Sequence, residues 1–112
     1  MKGKFVSSAE ARRDELSWGS LAWFSSPTVS HAKDLVVLEL TLTSGNCHNF
    51  HKHPNQEEVI YLIEGEIEQW IDREKRLLRA GDSAFIGADV VHATFNVSAR
   101  QAKLLAILSP CV

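Results

Sequence analysis

The 112-residue chain is poor in the residues that give several architectures away. It holds 2 cysteines, Cys47 and Cys111, too few for the disulfide framework of a small secreted domain. With 3 prolines and 6 glycines it is far from a collagen-like or low-complexity composition. It contains no run of 18 or more apolar residues, which removes the expectation of a membrane-spanning helix. The segment from Met1 to Leu16 is polar, with no apolar run behind its lysines of the kind a signal peptide carries. Charge of one sign is lacking too: 12 Lys and Arg stand against 14 Asp and Glu, for a net charge of -2. The basic residues are scattered, and nothing before Leu35 reads as a helix-turn-helix, so neither nucleic acid nor an anionic membrane is expected as a partner. These absences together point to a cytoplasmic protein with reduced thiols.

What is there is ordinary for a globular protein, at 45% hydrophobic and 23% charged residues, and the length suits one domain. Leu38, Leu40 and Leu42 alternate with Val37, Glu39 and Thr41, which predicts a strand over Leu35 to Leu42 with one buried face. Further strands are expected at Ser20 to Ser25, Val59 to Ile63, Ile67 to Ile71, Ser83 to Ile86, Val91 to Val97 and Lys103 to Leu108. Val59 to Ile63 is apolar on both faces, as in a strand held between a core and a second sheet or subunit. The polar Asp72 to Lys75 reads as a hairpin turn, and Ser7 to Leu16 as a short helical turn. Short strands recurring near every ten residues, with no long period-3.6 segment, predict an all-β sandwich or barrel.

Three of the 5 histidines make sense together with one glutamate. His51 and His53 are two apart, so in a strand both imidazoles project from one face. Glu58 opens the next strand, from which its carboxylate can reach back, and His92 lies in a later strand that a closed barrel would bring opposite. Three imidazoles and a carboxylate suit one divalent transition metal ion such as Fe, Mn, Ni, Zn or Cu, and fit calcium or magnesium poorly.

These residues resemble the first motif of the cupin superfamily, which is glycine, five residues, His-x-His, three or four residues, Glu, six residues and glycine. Gly45, His51, His53, Glu58 and Gly65 fill it, and the spacing to Gly65 selects Glu58 over Glu57. Gly81, His92 and Asn96 match the second motif, with Gly87 standing where the family has proline and Asp89 where it has glycine. The resemblance implies a double-stranded β-helix, or jelly-roll barrel, with the metal inside. The barrel is expected over residues 35–109, with 1–34 as a strand and loop extension of the same single domain.

The family implies a mononuclear metalloenzyme acting on a small organic substrate. Dioxygenase chemistry is favoured over decarboxylase, isomerase or lyase chemistry; the alternative is a cupin that binds or senses a small molecule without turning it over. Dimers are common among such proteins, so a homodimer is expected. Gln69, Thr94, Tyr61 and Asn96 are candidates for lining the pocket or orienting a ligand imidazole. Alternation places His48 opposite in parity to His51, hence at the rim, like His31, and Cys47 reads as a small buried hydrophobe. The aromatic residues, Trp18, Trp23, Trp70, Phe50, Phe85 and Phe95 among them, read as core or dimer interface rather than a substrate cage.

Overall fold

The computed structural model describes residues 2–111. Its strands are β1 (Arg12–Leu16), β2 (Gly19–Ser25), β3 (Val36–Leu42), β4 (Cys47–His51), β5 (Glu57–Glu64), β6 (Glu66–Ile71), β7 (Glu74–Arg79), β8 (Ser83–Ile86), β9 (His92–Phe95) and β10 (Ala102–Ser109). A single helical turn, α1 (Pro27–Ser30), is capped by Ser26, whose hydroxyl accepts from the Val29 amide.

Alternation becomes architecture most plainly in β3 and β10, where every second residue is buried from end to end. Their inward faces, Val36, Leu38, Leu40 and Leu42 against Ala102, Leu104, Ala106 and Leu108, form the floor of the core. Ile60 and Leu62 of β5 and Ile86 of β8 extend this floor within the same sheet, and Ile67 of β6 and Leu78 of β7 close over it from the other. The strands make two antiparallel sheets, one ordered β1-β2-β3-β10-β5-β8 and the other β4-β9-β6-β7. From β4 onward the chain passes back and forth between them, winding a jelly roll.

One corner needs glycine. Gly65, between β5 and β6, sits at φ 87°, and a Cβ there would lie 2.7 Å from the Gln101 carbonyl oxygen.

Three local expectations are corrected. Ser7 to Leu16 is not helical throughout: a turn closes from the Glu10 and Ala11 amides onto the Ser7 carbonyl, and the chain then enters β1, because pairing with β2 outweighs local propensity. The Asp72 to Lys75 hairpin tightens to Asp72 and Arg73, with Glu74, Lys75 and Arg76 already in β7. That edge strand is largely solvated, so its sequence reads as a turn. The strand expected over Val91 to Val97 is shorter, as β9.

Candidate metal centre

The two sheets come together at one end of the barrel with a ligand-type side chain from each. Glu58 is the second residue of β5 and shares the inward parity of Ile60 and Leu62, so its carboxylate enters the core and is 6% exposed. Glu57 takes the opposite face and is solvated. From the other sheet, His51 at the end of β4 pairs with His92 at the start of β9, and His92 is 1% exposed. His53 lies beyond β4 rather than within it, so it converges on its neighbours through a loop and not through strand parity. One nitrogen or oxygen of each of His51, His53, Glu58 and His92 lies within 4.8 Å of all the others.

The hydrogen bonds fix which nitrogens face the centre. His92 Nδ1 lies 2.9 Å from the Val90 carbonyl, and His51 Nδ1 lies against the Asn49 carbonyl. A carbonyl only accepts, so both Nδ1 atoms carry the proton and both Nε2 atoms offer a lone pair. His92 Nε2 then stands 3.0 Å from Glu58 Oε1, and His53 Nε2 stands 3.6 Å from the same oxygen. Neither Glu58 Oε1 nor His92 Nε2 has a well-directed hydrogen bond among the described residues, although both are buried. Two buried acceptors facing each other at that distance need a cation or a proton between them.

The titration directions follow. Burial disfavours the His92 imidazolium, but contact with Glu58 and the bond to the Val90 carbonyl outweigh it, and its pKa is raised. Burial lowers the pKa of His51 and of His53, a change that favours the neutral imidazole a metal requires.

The family profile described as the cupin domain matches residues 38–108. The chain belongs to the cupin family. Its curated relatives include a protein named polyketide synthase CurC from Streptomyces cyaneus, 28% identical over 110 residues, covering 98% of this chain and 71% of the relative. Among solved structures it resembles KdgF from a Halomonas species, with a TM-score of 0.85 at 19% identity, covering 99% of this chain and 96% of that one. It also resembles a predicted oxalate decarboxylase from Thermotoga maritima, with a TM-score of 0.84 at 22% identity, covering 96% and 99%. At these identities the two structures speak to fold alone.

Within this cupin, Asp89 takes the left-handed φ of 65° at the position where the family motif has glycine. Its amide donates to the His53 carbonyl at 3.1 Å, and its carboxylate lies 3.3 Å from Lys52 Nζ, so the approach to His92 is tied to the loop that carries His53.

His48 departs from the rim position that simple alternation assigns. The ladder between β4 and β9 runs from His48 opposite Thr94 to His51 opposite His92, three residues against two. This bulge puts His48 and His51 on the same face. Their rings stack at 4.0 Å, and Trp18 stacks on the other side of His48 at 5.1 Å with planes 11° apart. Burial, then the neighbouring His51, pushes the His48 pKa down to about 4.

Of the candidate accessory residues, Thr94 donates to Gln69 Oε1 at 2.6 Å, and the Gln69 amide donates to the Trp70 carbonyl at 3.1 Å, so the two satisfy each other inside the barrel. Asn96 is structural: its amide donates to the Leu42 and Arg100 carbonyls, and its oxygen accepts from Ser98. Tyr61 faces outward and is 42% exposed, away from the pocket. Cys47 is half-buried rather than buried, and both cysteines are free. Trp18 and Trp23 line the pocket beside His48, His53 and Glu58, a role the aromatic composition alone did not assign.

Proposed function

We propose that this cupin binds one divalent transition metal ion through His51, His53, Glu58 and His92 and acts on a small organic substrate beside it. The observation that carries the reading is the facing pair of buried acceptors, Glu58 Oε1 and His92 Nε2, with two further imidazoles in reach. Iron, manganese, nickel, zinc and copper all suit this donor set. A bound ion would act as a Lewis acid on substrate oxygens. The side chains hold it, fix the imidazole tautomers and wall the site with apolar surface.

Within this reading we favour dioxygenase-type turnover, since four protein ligands leave positions open around a six-coordinate ion. Capture of a metabolite without turnover is the second reading. It is favoured by the pocket walls, which outside the ligand set and His48 carry few groups able to move a proton. The chain works as one unit in the cytoplasm, with residues 1–34 completing the pocket, and pairs with a second copy of itself.

The test is elemental analysis of protein purified without added metal, beside the His51→Ala, His53→Ala double variant. The wild type is expected to hold close to one ion per chain and to melt at a higher temperature than the variant, because binding stabilises only the folded state. A full metal complement in the double variant would sink the assignment.

A further inference from the structure

The cavity that opens beside His53 and Glu58, two of the four ligands, has a volume of about 470 Å³, within the range of roughly 300–1,000 Å³ usual for organic ligands. Much of one wall comes from the N-terminal hairpin: Leu16 ends β1, Trp18 follows, and Leu21 and Trp23 alternate inward along β2. Leu21 and Trp23 pair with Leu40 and Leu38 of β3, which continue the wall. These hairpin residues lie before the segment matched by the family profile, residues 38–108.

The polar groups of the lining are largely spent on the protein itself. Ser26 caps α1, and the Gln56 amide donates to the Pro110 carbonyl at 2.8 Å. Among the described residues, no lysine or arginine lines the cavity. The charge available to a ligand is therefore that of the ion less that of Glu58. For a divalent ion the remainder is a single positive charge, which one anionic group neutralises. A second anionic group on the ligand would be desolvated against leucine and tryptophan with no cation to meet it.

Resting on the metal reading above, we infer that the pocket selects a singly anionic, oxygen-donor ligand carried on an apolar, ring-bearing body, and that the N-terminal hairpin supplies this selectivity. Small dianions and polyhydroxylated ligands do not match it. The former lack a second counter-charge, and the latter would leave hydroxyls unpaired against apolar walls. Trp18 positions the body: its ring is held flat by stacking on His48, next to the ligand His51.

The experiment uses full-length protein loaded with zinc, which is redox-silent, and titrates it calorimetrically with three probes. 2-Naphthoate has the proposed head and body, acetate has the head alone, and naphthalene-2,6-dicarboxylate has the same body with a second charge. 2-Naphthoate is expected to bind at least tenfold more tightly than either of the others, and tenfold more tightly to zinc-loaded than to metal-free protein. Trp18→Ala should lose most of the preference over acetate while retaining zinc. Leu21→Arg should narrow the gap to the dicarboxylate, and should either variant fail to fold, the wild-type comparison still decides. Zinc content separates the two readings. A protein that retains no zinc overturns the metal site and this inference with it. A zinc-loaded protein that binds acetate or the dicarboxylate as tightly as 2-naphthoate overturns this inference alone.

Discussion

The residue that best shows how the site is tuned is His48, which is not in the ligand set. Stacked between Trp18 and His51, it takes a proton only near pH 4 in the folded chain, against 6.5 for an exposed imidazole. As pH falls through 6.5 the unfolded chain gains a proton at this position and the folded chain does not, so stability drops from there to about pH 4. His51 and His53, also lowered, act with the same sign. His92 is raised and acts oppositely: its contribution is full below the unfolded pKa and fades as pH rises through the folded one. With three groups against one, metal-free protein is expected to unfold at a lower urea concentration at pH 5 than at pH 7. Urea titrations in the presence of a chelator check this, and an equal or higher midpoint at pH 5 would contradict it. His48→Asn should flatten the pH dependence.

At the scale of elements, the joint between β5 and β6 is where backbone conformation decides the fold. Gly65→Ala would place a methyl 2.7 Å from the Gln101 carbonyl oxygen and 3.0 Å from Ala102 Cα at a positive φ. Strain and overpacking together are expected to cost on the order of 2–4 kcal/mol. Gly45→Ala, at φ 78° with nothing within 4 Å of the added carbon, is the control and should cost only about 1 kcal/mol. Denaturant midpoints of the two variants measure the difference, and equal losses would refute the steric argument. The same scale explains what could be read beforehand. Strands β3 and β10 were legible because burial on one face writes a period of two into the sequence. β7 was not, since an edge strand facing solvent has little to hide. That His51, Glu58 and His92 lie together was legible from strand order and from the spacing of the cupin motifs they resemble, but the place of His48 was not. A single bulge in β4 reverses parity, and Cys47 to Phe50 contains no glycine or proline to mark it. Asn96 has the right spacing for the site, yet its hydrogen bonds go to the end of β3 at Leu42 and to the loop at Ser98 and Arg100, which no pattern announces.

For the whole molecule, the outer face of the six-stranded sheet carries an apolar strip across β3, β10, β5 and β8. Val59 lies beside Phe85 on one side and Ile107 on the other, and Tyr61 lies beside Leu105, while Val37 extends the strip across β3. Tyr61 and Phe85 are 42% and 58% exposed. Glu39 and Lys103, on the same face, lie 3.9 Å apart and neutralise each other, so two copies can meet here without opposing like charges. The pairing proposed above would cover this surface with a second copy of the chain, and would account for a strand apolar on both sides. Sedimentation analysis is expected to find a dimer for the wild type and a folded monomer for the Tyr61→Lys, Phe85→Lys double variant, whose metal content should be unchanged because both side chains point away from the site. Substitution here exposes charge in place of half-exposed apolar surface, so the monomer should melt no lower than the wild type diluted below its own dissociation constant. A wild type that sediments as a monomer at all concentrations, or a double variant that remains dimeric, would move the interface elsewhere.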